Sequence, residues 1–217
     1  MIKIAAKDWR ESRRQSARDA IVDAAWGLVR EEGLAALSLR DLAARAGITT
    51  PTVYAYFDSK HAIYDAMFGR AASEFATHMT QPFDTSVPAQ ILVASATRFA
   101  EFCTTDVSRY QLLFQRTIPN FAPSAEAYAP AILALAAARK RLALNGITQA
   151  RHVDLWTALL TGLVDQQIAN DPGGHRWNSL IEEAVAMFLV HCHSTPSART
   201  SKPKSTKARG AQRDHKG

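Results

Sequence analysis

The stretch GITTPTVYAYF, residues 47–57, gathers five side-chain hydroxyls, on Thr49, Thr50, Thr52, Tyr54 and Tyr56, around a single proline, Pro51. Hydroxyls both donate and accept hydrogen bonds, so the set suits base edges and phosphate oxygens, and the proline ring offers an apolar surface to a thymine methyl. If the stretch opens a helix, its first backbone N–H groups favour phosphate as well. This is the chemistry of recognition. Bond-making chemistry has no comparable signature: the chain carries no GxSxG, HExxH or phosphate-loop run, and no enzyme activity is expected. The tripeptide HCH at 191–193 sets adjacent residues on different faces of a helix end with no further ligand cluster in reach, so neither a metal nor a cofactor is expected.

The elements that must hold these hydroxyls are short helices. Pro51 disfavours helical geometry at the residue before it and is preorganised for the first helical position, which predicts a helix from Pro51 to Phe57 capped by Thr50. Two turns alone are marginal, so Val53 and Phe57, four residues apart, must pack inward and leave the hydroxyls facing out. Ahead of it, SLRDLAARAG reads as a helix with Ser38 as N-cap, Asp41 in the capping-box position and Gly47 as its end. A longer helix from Arg18, with Ile21, Val22, Ala25, Leu28 and Val29 at helical spacing, stops at Gly33. Two helices joined by a short glycine-containing turn form the helix-turn-helix arrangement, whose second helix enters the major groove.

Residues 20–67, AIVDAAWGLVREEGLAALSLRDLAARAGITTPTVYAYFDSKHAIYDAM, resemble the DNA-binding domain of the tetracycline-repressor (TetR) family along their whole length. The pieces occur in order: Ala24-Ala25 with Gly33, then Ser38-x-x-Asp41-Leu42-Ala43, Gly47-Ile48, and Tyr54-x-Tyr56-Phe57-x-Ser59-Lys60. The resemblance implies that Thr49, Thr50, Pro51 and Thr52 meet base edges, that Tyr54 and Tyr56 meet phosphates with some base reach, and that Ser38 lies on the DNA-binding surface. Lys60, in the first turn of the next helix, opposes the helix dipole unless a phosphate lies there, and is expected at the DNA backbone. Arg10, Arg13, Arg14 and Arg18 form a basic arm able to reach flanking phosphates or a narrow minor groove, or else a frayed basic end.

Charge separates the chain into parts. Residues 1–60 carry 10 basic and 8 acidic side chains, residues 61–193 carry 9 and 11, and residues 194–217 carry 7 and 1. The last segment, rich in Ser, Thr, Lys, Pro and Gly, has no large apolar residue to offset the entropy of ordering and reads as a disordered basic tail, either a phosphate tether or a solubilising end. The expected organisation is a basic arm over 1–17, a helix-turn-helix domain over 18–62, a helical ligand-binding and dimerisation domain over 63–193, and the tail over 194–217. The longest apolar run, AILALAAA at 131–138, is too short to span a bilayer, and the N-terminus lacks signal-peptide features, which points to the cytoplasm. Cys103 and Cys192 have no CxxC partner and are read as reduced and buried.

Beyond residue 67 the periodicity continues as helix after helix, nine in all with no convincing strand, an all-α chain. The helix holding Ile63, Met67 and Phe75 bridges the two domains. Loops are expected over TIPNFAPSAEAYAP at 117–130 and around Asp171-Pro172-Gly173-Gly174, with final helices over 148–170 and 174–193. Phe99, Phe102, Cys103, Leu113, Phe114, Phe121, Tyr128 and Trp156 supply apolar and aromatic walls for a ligand pocket or an ordinary core, with Asp165 and Gln166 as polar groups on an otherwise apolar helix. Leu155, Leu159 and Leu163 on the eighth helix, and Leu180, Ile181, Ala184, Val185 and Phe188 on the ninth, give apolar cover on several faces. The resemblance implies that these pack against their two-fold mates in a homodimer.

The expected function is therefore a transcriptional regulator, a repressor that binds palindromic double-stranded DNA as a homodimer and is released by a small apolar or aromatic effector. The alternative is a ligand-independent architectural or accessory DNA-binding protein, which would show sequence-independent binding with a steep salt slope.

Overall fold

A computed structural model describes residues 2–194, with side chains from residue 9 onward. Among the described residues there are nine α-helices, two short 3-10 helices and no strand. Helix α1 spans Ile2–Glu32, α2 Leu39–Arg45, α3 Thr50–Tyr54, α4 Lys60–Thr80, α5 Pro88–Thr105, α6 Val107–Phe114, α7 Ala125–Leu144, α8 Ala150–Asn170 and α9 Ile181–Ser194; the 3-10 turns are Leu34–Ala36 and Asn178–Leu180. The expected tail over 194–217 lies outside the described residues, apart from Ser194 at the end of α9.

Two apolar cores share one helix. Ile21, Val22, Ala25, Trp26, Val29, Leu42 and Val53 from the first three helices bury with Ile63, Tyr64, Met67 and Phe68 of α4, and the second half of α4 supplies Ala76 and Met79 to a core built with α5, α8 and α9. The rod expected between the two domains is thus a single helix with residues in both. Its start is fixed by Ser59, whose Oγ accepts the Ala62 N–H at 3.1 Å. It packs most extensively on α7, where Gly69 lies so close that an added Cβ would meet Ala127 at 3.4 Å.

Four boundaries differ from the sequence reading. The basic arm over 1–17 is not a separate segment: α1 begins at Ile2, not Arg18, and carries the arginines as a helix. The residues before Arg18 contain no proline or glycine, and Gln15 to Asp19 and Ser16 to Ser12 hydrogen bonds support the helix across the expected break. The segment expected as a loop through Pro130 is helical from Ala125, because Ser124 caps α7, its Oγ accepting the Ala127 N–H at 3.1 Å. Asp65 of α4 fixes that cap, accepting the Ser124 N–H at 2.6 Å and its hydroxyl at 2.8 Å, so a long-range contact outweighs the one backbone bond Pro130 lacks. The ninth helix starts at Ile181, not 174. Buried Gln167 of α8 holds the preceding segment as a clamp, its Oε1 accepting the N–H groups of Trp177 at 2.9 Å and Asn178 at 3.2 Å. Finally, α3 is capped one residue earlier than expected.

Candidate functional site

The cap of α3 sets the geometry of the hydroxyl cluster. Thr49, not Thr50, is extended (φ −92°, ψ 154°) and its Oγ1 accepts the Thr52 N–H at 3.3 Å, which puts Pro51 at the second helical position, where no intrahelical bond is lost either. Thr49 Oγ1 also lies 2.8 Å from Thr52 Oγ1. The turn before it closes through Gly47, whose φ of +67° is the left-handed conformation that glycine adopts without strain, and through the Ile48 N–H bonded to the Ala43 carbonyl at 3.0 Å. The Ser38 Oγ caps α2 by accepting the Asp41 N–H at 3.2 Å, and its bond to the carboxylate holds Asp41 below the usual carboxylate range.

Val53 and Phe57 are buried, as their spacing requires, and Thr49, Pro51 and Tyr54 stand exposed, with Thr50, Thr52 and Tyr56 half-buried around them. The cluster therefore presents a face. Lys60 is half-buried and turns back over the 3-10 helix, its Nζ 3.5 Å from the Ala35 carbonyl and 5.6 Å from the Tyr64 ring centroid. Arg18 is committed inside the fold: it donates to the Tyr56 carbonyl and stacks 4.3 Å over Phe57. Arg14 reaches toward the Ala55 carbonyl at 3.5 Å.

Because α1 is one helix from residue 2, its N-terminal half lies beside α3. Trp9, Arg10, Arg13, Arg14 and Ala17 enclose an open cleft with Thr52, Ala55 and Tyr56. Arg13 stacks 4.7 Å from the Trp9 ring. The sequence named these arginines, and only the continuous helix shows which residues they join. Arg40 was missed. Its side chain is 89% exposed at the start of α2, beside the capping Ser38, and a basic residue just inside a cap was the available signal.

A second candidate site lies in the larger core. A cavity of about 530 Å³ between α4, α5, α6, α7 and α8 is lined by Phe99, Leu113, Phe114, Tyr128 and Trp156 of the expected set, together with Phe68, Phe75 and Met79 of α4. Phe75, Phe99 and Phe114 meet edge to face, with centroids 5.3 to 6.0 Å apart. The other expected residues do not line it. Cys103 is fully buried in the core, where burial raises its thiol pKa, and Phe102 is sandwiched between Phe75 and the Arg109 guanidinium. Phe121 borders an adjoining cleft of about 240 Å³ that shares Phe68, Leu113, Phe114 and Tyr128 with the cavity. Asp165 and Gln166 are on the exposed side of α8, where Asp165 accepts from the Tyr110 hydroxyl and Gln115 Nε2, both at 2.8 Å. The buried amide of this stretch belongs to the next residue, Gln167.

The apolar faces of α8 and α9 also divide. Ile181, Ala184, Val185 and Phe188 are buried within the chain's own core, and Leu159 and Leu163 pack at its edge. Leu155 and Leu180 are exposed, and so are Met187 and Val190, which the sequence reading left out although they continue the helical stripe. The broad stripe on α9 serves two surfaces, and among the described residues its outer edge is left without a partner.

Comparison with known proteins matches the segment that holds the first of these sites. Residues 21–67 match the family model described as bacterial regulatory proteins, tetR family. Two uncharacterised HTH-type transcriptional regulators of Mycobacterium tuberculosis, from strains CDC 1551 and H37Rv, are 33% identical over 96 residues, 43% of this chain and 48% of each relative, so the match spans about half the length of the curated relatives. Among solved structures, a tetR-family regulator from Streptomyces coelicolor has a TM-score of 0.63 at 20% identity, covering 80% of this chain and 79% of its own. The regulator FadR from Bacillus subtilis, in complex with stearoyl-CoA, has 0.59 at 15%, covering 78% and 96%. At these identities the structural likeness is one of fold. Among the described residues no helix is long and apolar enough to cross a membrane.

Proposed function

We propose that the chain is a DNA-binding transcriptional regulator of the TetR family, a cytoplasmic repressor that binds a palindromic operator as a homodimer and leaves it when a small apolar or aromatic molecule fills the cavity. One observation carries this reading: α4 contributes Phe68, Phe75 and Met79 to the cavity wall, and its cap, Ser59, lies two residues beyond Phe57 at the end of the helix-turn-helix. A ligand that repositions α4 therefore moves α3. In a two-fold dimer two α3 helices must match half-sites at a fixed spacing, so a shift of a few ångströms between them breaks one set of contacts. A coupling of about 1–3 kcal/mol changes occupancy roughly 5- to 150-fold.

The unpartnered Leu155, Leu180, Met187 and Val190 support an interface on α8 and α9. The exposed Thr49, Pro51 and Tyr54, with Arg13 and Arg40 nearby, support the DNA face. The FadR structure, a fold relative holding an acyl-CoA, supports an apolar effector for this cavity.

Selection of bound sites from random DNA, followed by titration of effector into the free protein and into the protein–operator complex, tests the proposal. A palindromic consensus, with ligand affinity lowered by DNA by the same factor that ligand lowers DNA affinity, is the expected result. Sequence-independent binding with a steep salt dependence and no response to ligand would favour an architectural protein instead.

A further inference from the structure

One end of the large cavity lies against positive charge that, among the described residues, no ion pair balances. Arg141 of α7 is 8% exposed; its Nη1 donates to the Ser95 hydroxyl at 3.2 Å and its Nη2 to the Met79 carbonyl. Arg98 of α5 shares Phe83 with it, the guanidiniums of Arg141 and Arg98 being 5.0 and 3.9 Å from the ring centroid, and donates to the carbonyls of Gln81 at 2.7 Å and Pro82 at 3.0 Å. All of these acceptors are neutral. Among the described residues neither arginine enters an ion pair.

A structural role accounts for part of this arrangement. Both arginines bond carbonyls at or just past the C-terminus of α4, where the helix dipole presents roughly half a negative charge. Two full cations exceed it. Burial and the neighbouring Arg98 both push the Arg141 pKa down, yet a guanidinium remains charged in proteins, so the cation is held in an unfavourable place.

Ser95 passes that charge into the cavity. It is buried and lines the cavity, as does Met79. Its oxygen accepts from Arg141, and among the described residues its hydroxyl hydrogen has no acceptor. The remaining walls are aromatic and aliphatic except for Arg139 and Asp154, one of each sign and both solvent-exposed, the phenol of the exposed Tyr128, and the hydroxyls of Thr157 and Thr161, which donate to carbonyls one turn back in α8.

We propose that the effector is an amphipathic carboxylate, with an apolar body against Phe75, Phe99, Phe114 and Trp156 and a carboxylate that accepts the Ser95 hydroxyl in front of the Arg141 guanidinium. The inference rests on the effector-cavity reading above and specifies its ligand. It also gives occupancy a route to α4, because the hydroxyl that meets the carboxylate is bonded to the same guanidinium that holds the Met79 carbonyl in the last turn of that helix.

Calorimetric titration of the DNA-free full chain with two matched pairs, dodecanoate with dodecan-1-ol and 2-naphthoate with 2-naphthalenemethanol, tests this. The carboxylate of at least one pair should bind about tenfold or more tightly than its alcohol, as expected for a charge-assisted hydrogen bond. Ser95→Ala should remove most of that preference while leaving alcohol binding unchanged, and Arg141→Gln should do the same if it folds; Ser95→Ala decides the matter if it does not. No acid preference in either pair, no binding by any of the four, or a preference that survives Ser95→Ala would overturn the proposal. Because no DNA is present, a carboxylate that binds as expected and yet fails to release operator leaves this site standing and removes the release mechanism alone.

Discussion

Replacing Met187 by glutamate sets a carboxylate on the outer edge of α9 without touching the core of the single chain. Met187 is 64% and Val190 66% exposed, so in the proposed dimer each has about two-thirds of its surface left to bury against the partner. Full burial of a side chain of this size contributes about 1.5–3 kcal/mol, and two-thirds of that is about 1–2 kcal/mol. At a two-fold interface every substitution occurs twice, so Met187→Glu removes about 2–4 kcal/mol of association energy, roughly a 30-fold to 900-fold rise in the dimer dissociation constant. Desolvation of the two carboxylates adds to this. Sedimentation velocity over a dilution series measures the shift, and circular dichroism checks that the helices remain. Operator affinity should fall with dimerisation, while binding to a single half-site at high protein concentration should not. Unchanged self-association in a folded Met187→Glu protein would place the interface on another surface and refute the reasoning.

Thr49→Ala should lower stability by about 1 kcal/mol, the usual worth of an N-cap and roughly 2–4 °C in melting temperature for a chain of this size, and should weaken operator binding as well; equal stability and equal affinity in filter or fluorescence titrations would show that α3 does not depend on that cap. Gln167→Leu keeps the volume but strands the Trp177 and Asn178 N–H groups, and should lower stability by roughly 2–4 kcal/mol in urea denaturation. Burial pushes the Tyr64 phenol up to about 12, and the hydroxyl donates to the Leu34 carbonyl. A folded-state value raised above the unfolded one gives stability that is complete below about pH 10 and is lost as pH rises toward 12. Tyr64→Phe should be less stable at neutral pH and should lack this part of the alkaline loss, measured as melting temperature against pH.

The parts of the fold legible in the sequence are those governed by local rules. Ser38 and Asp41, Gly47, and the Val53–Phe57 pair are decided within four residues of each other, and the helix-turn-helix follows from them. Misreadings arose where a distant side chain settles a local choice. Asp65 of α4 holds the cap that makes residues 125–130 helical, and Gln167 of α8 delays the start of α9; neither partner is visible at short range. The cavity was legible in composition but not in membership. Helical periodicity distinguishes an inward from an outward face, yet it does not tell an inward face that lines a void, such as that of Phe99 and Phe114, from one that fills a core, such as that of Phe102 and Cys103. In α9 the same ambiguity merged two apolar surfaces into one stripe.

The close approach of Gly69 to Ala127 fixes more than a helix contact. Both α4 and α7 form walls of the large cavity, through Phe68, Phe75 and Met79 on one side and Tyr128, Ala131, Ala134 and Leu135 on the other. The width between those walls is therefore set at a seam where one partner has no side chain at all. An alanine at 69 would just meet its neighbour at 3.4 Å, whereas anything larger must spread the helices. In the proposed regulator, selectivity for effector size can thus drift through substitutions at positions that never touch an effector. Two regulators with identical cavity linings can differ in what they admit, and a comparison of lining residues alone would miss the cause.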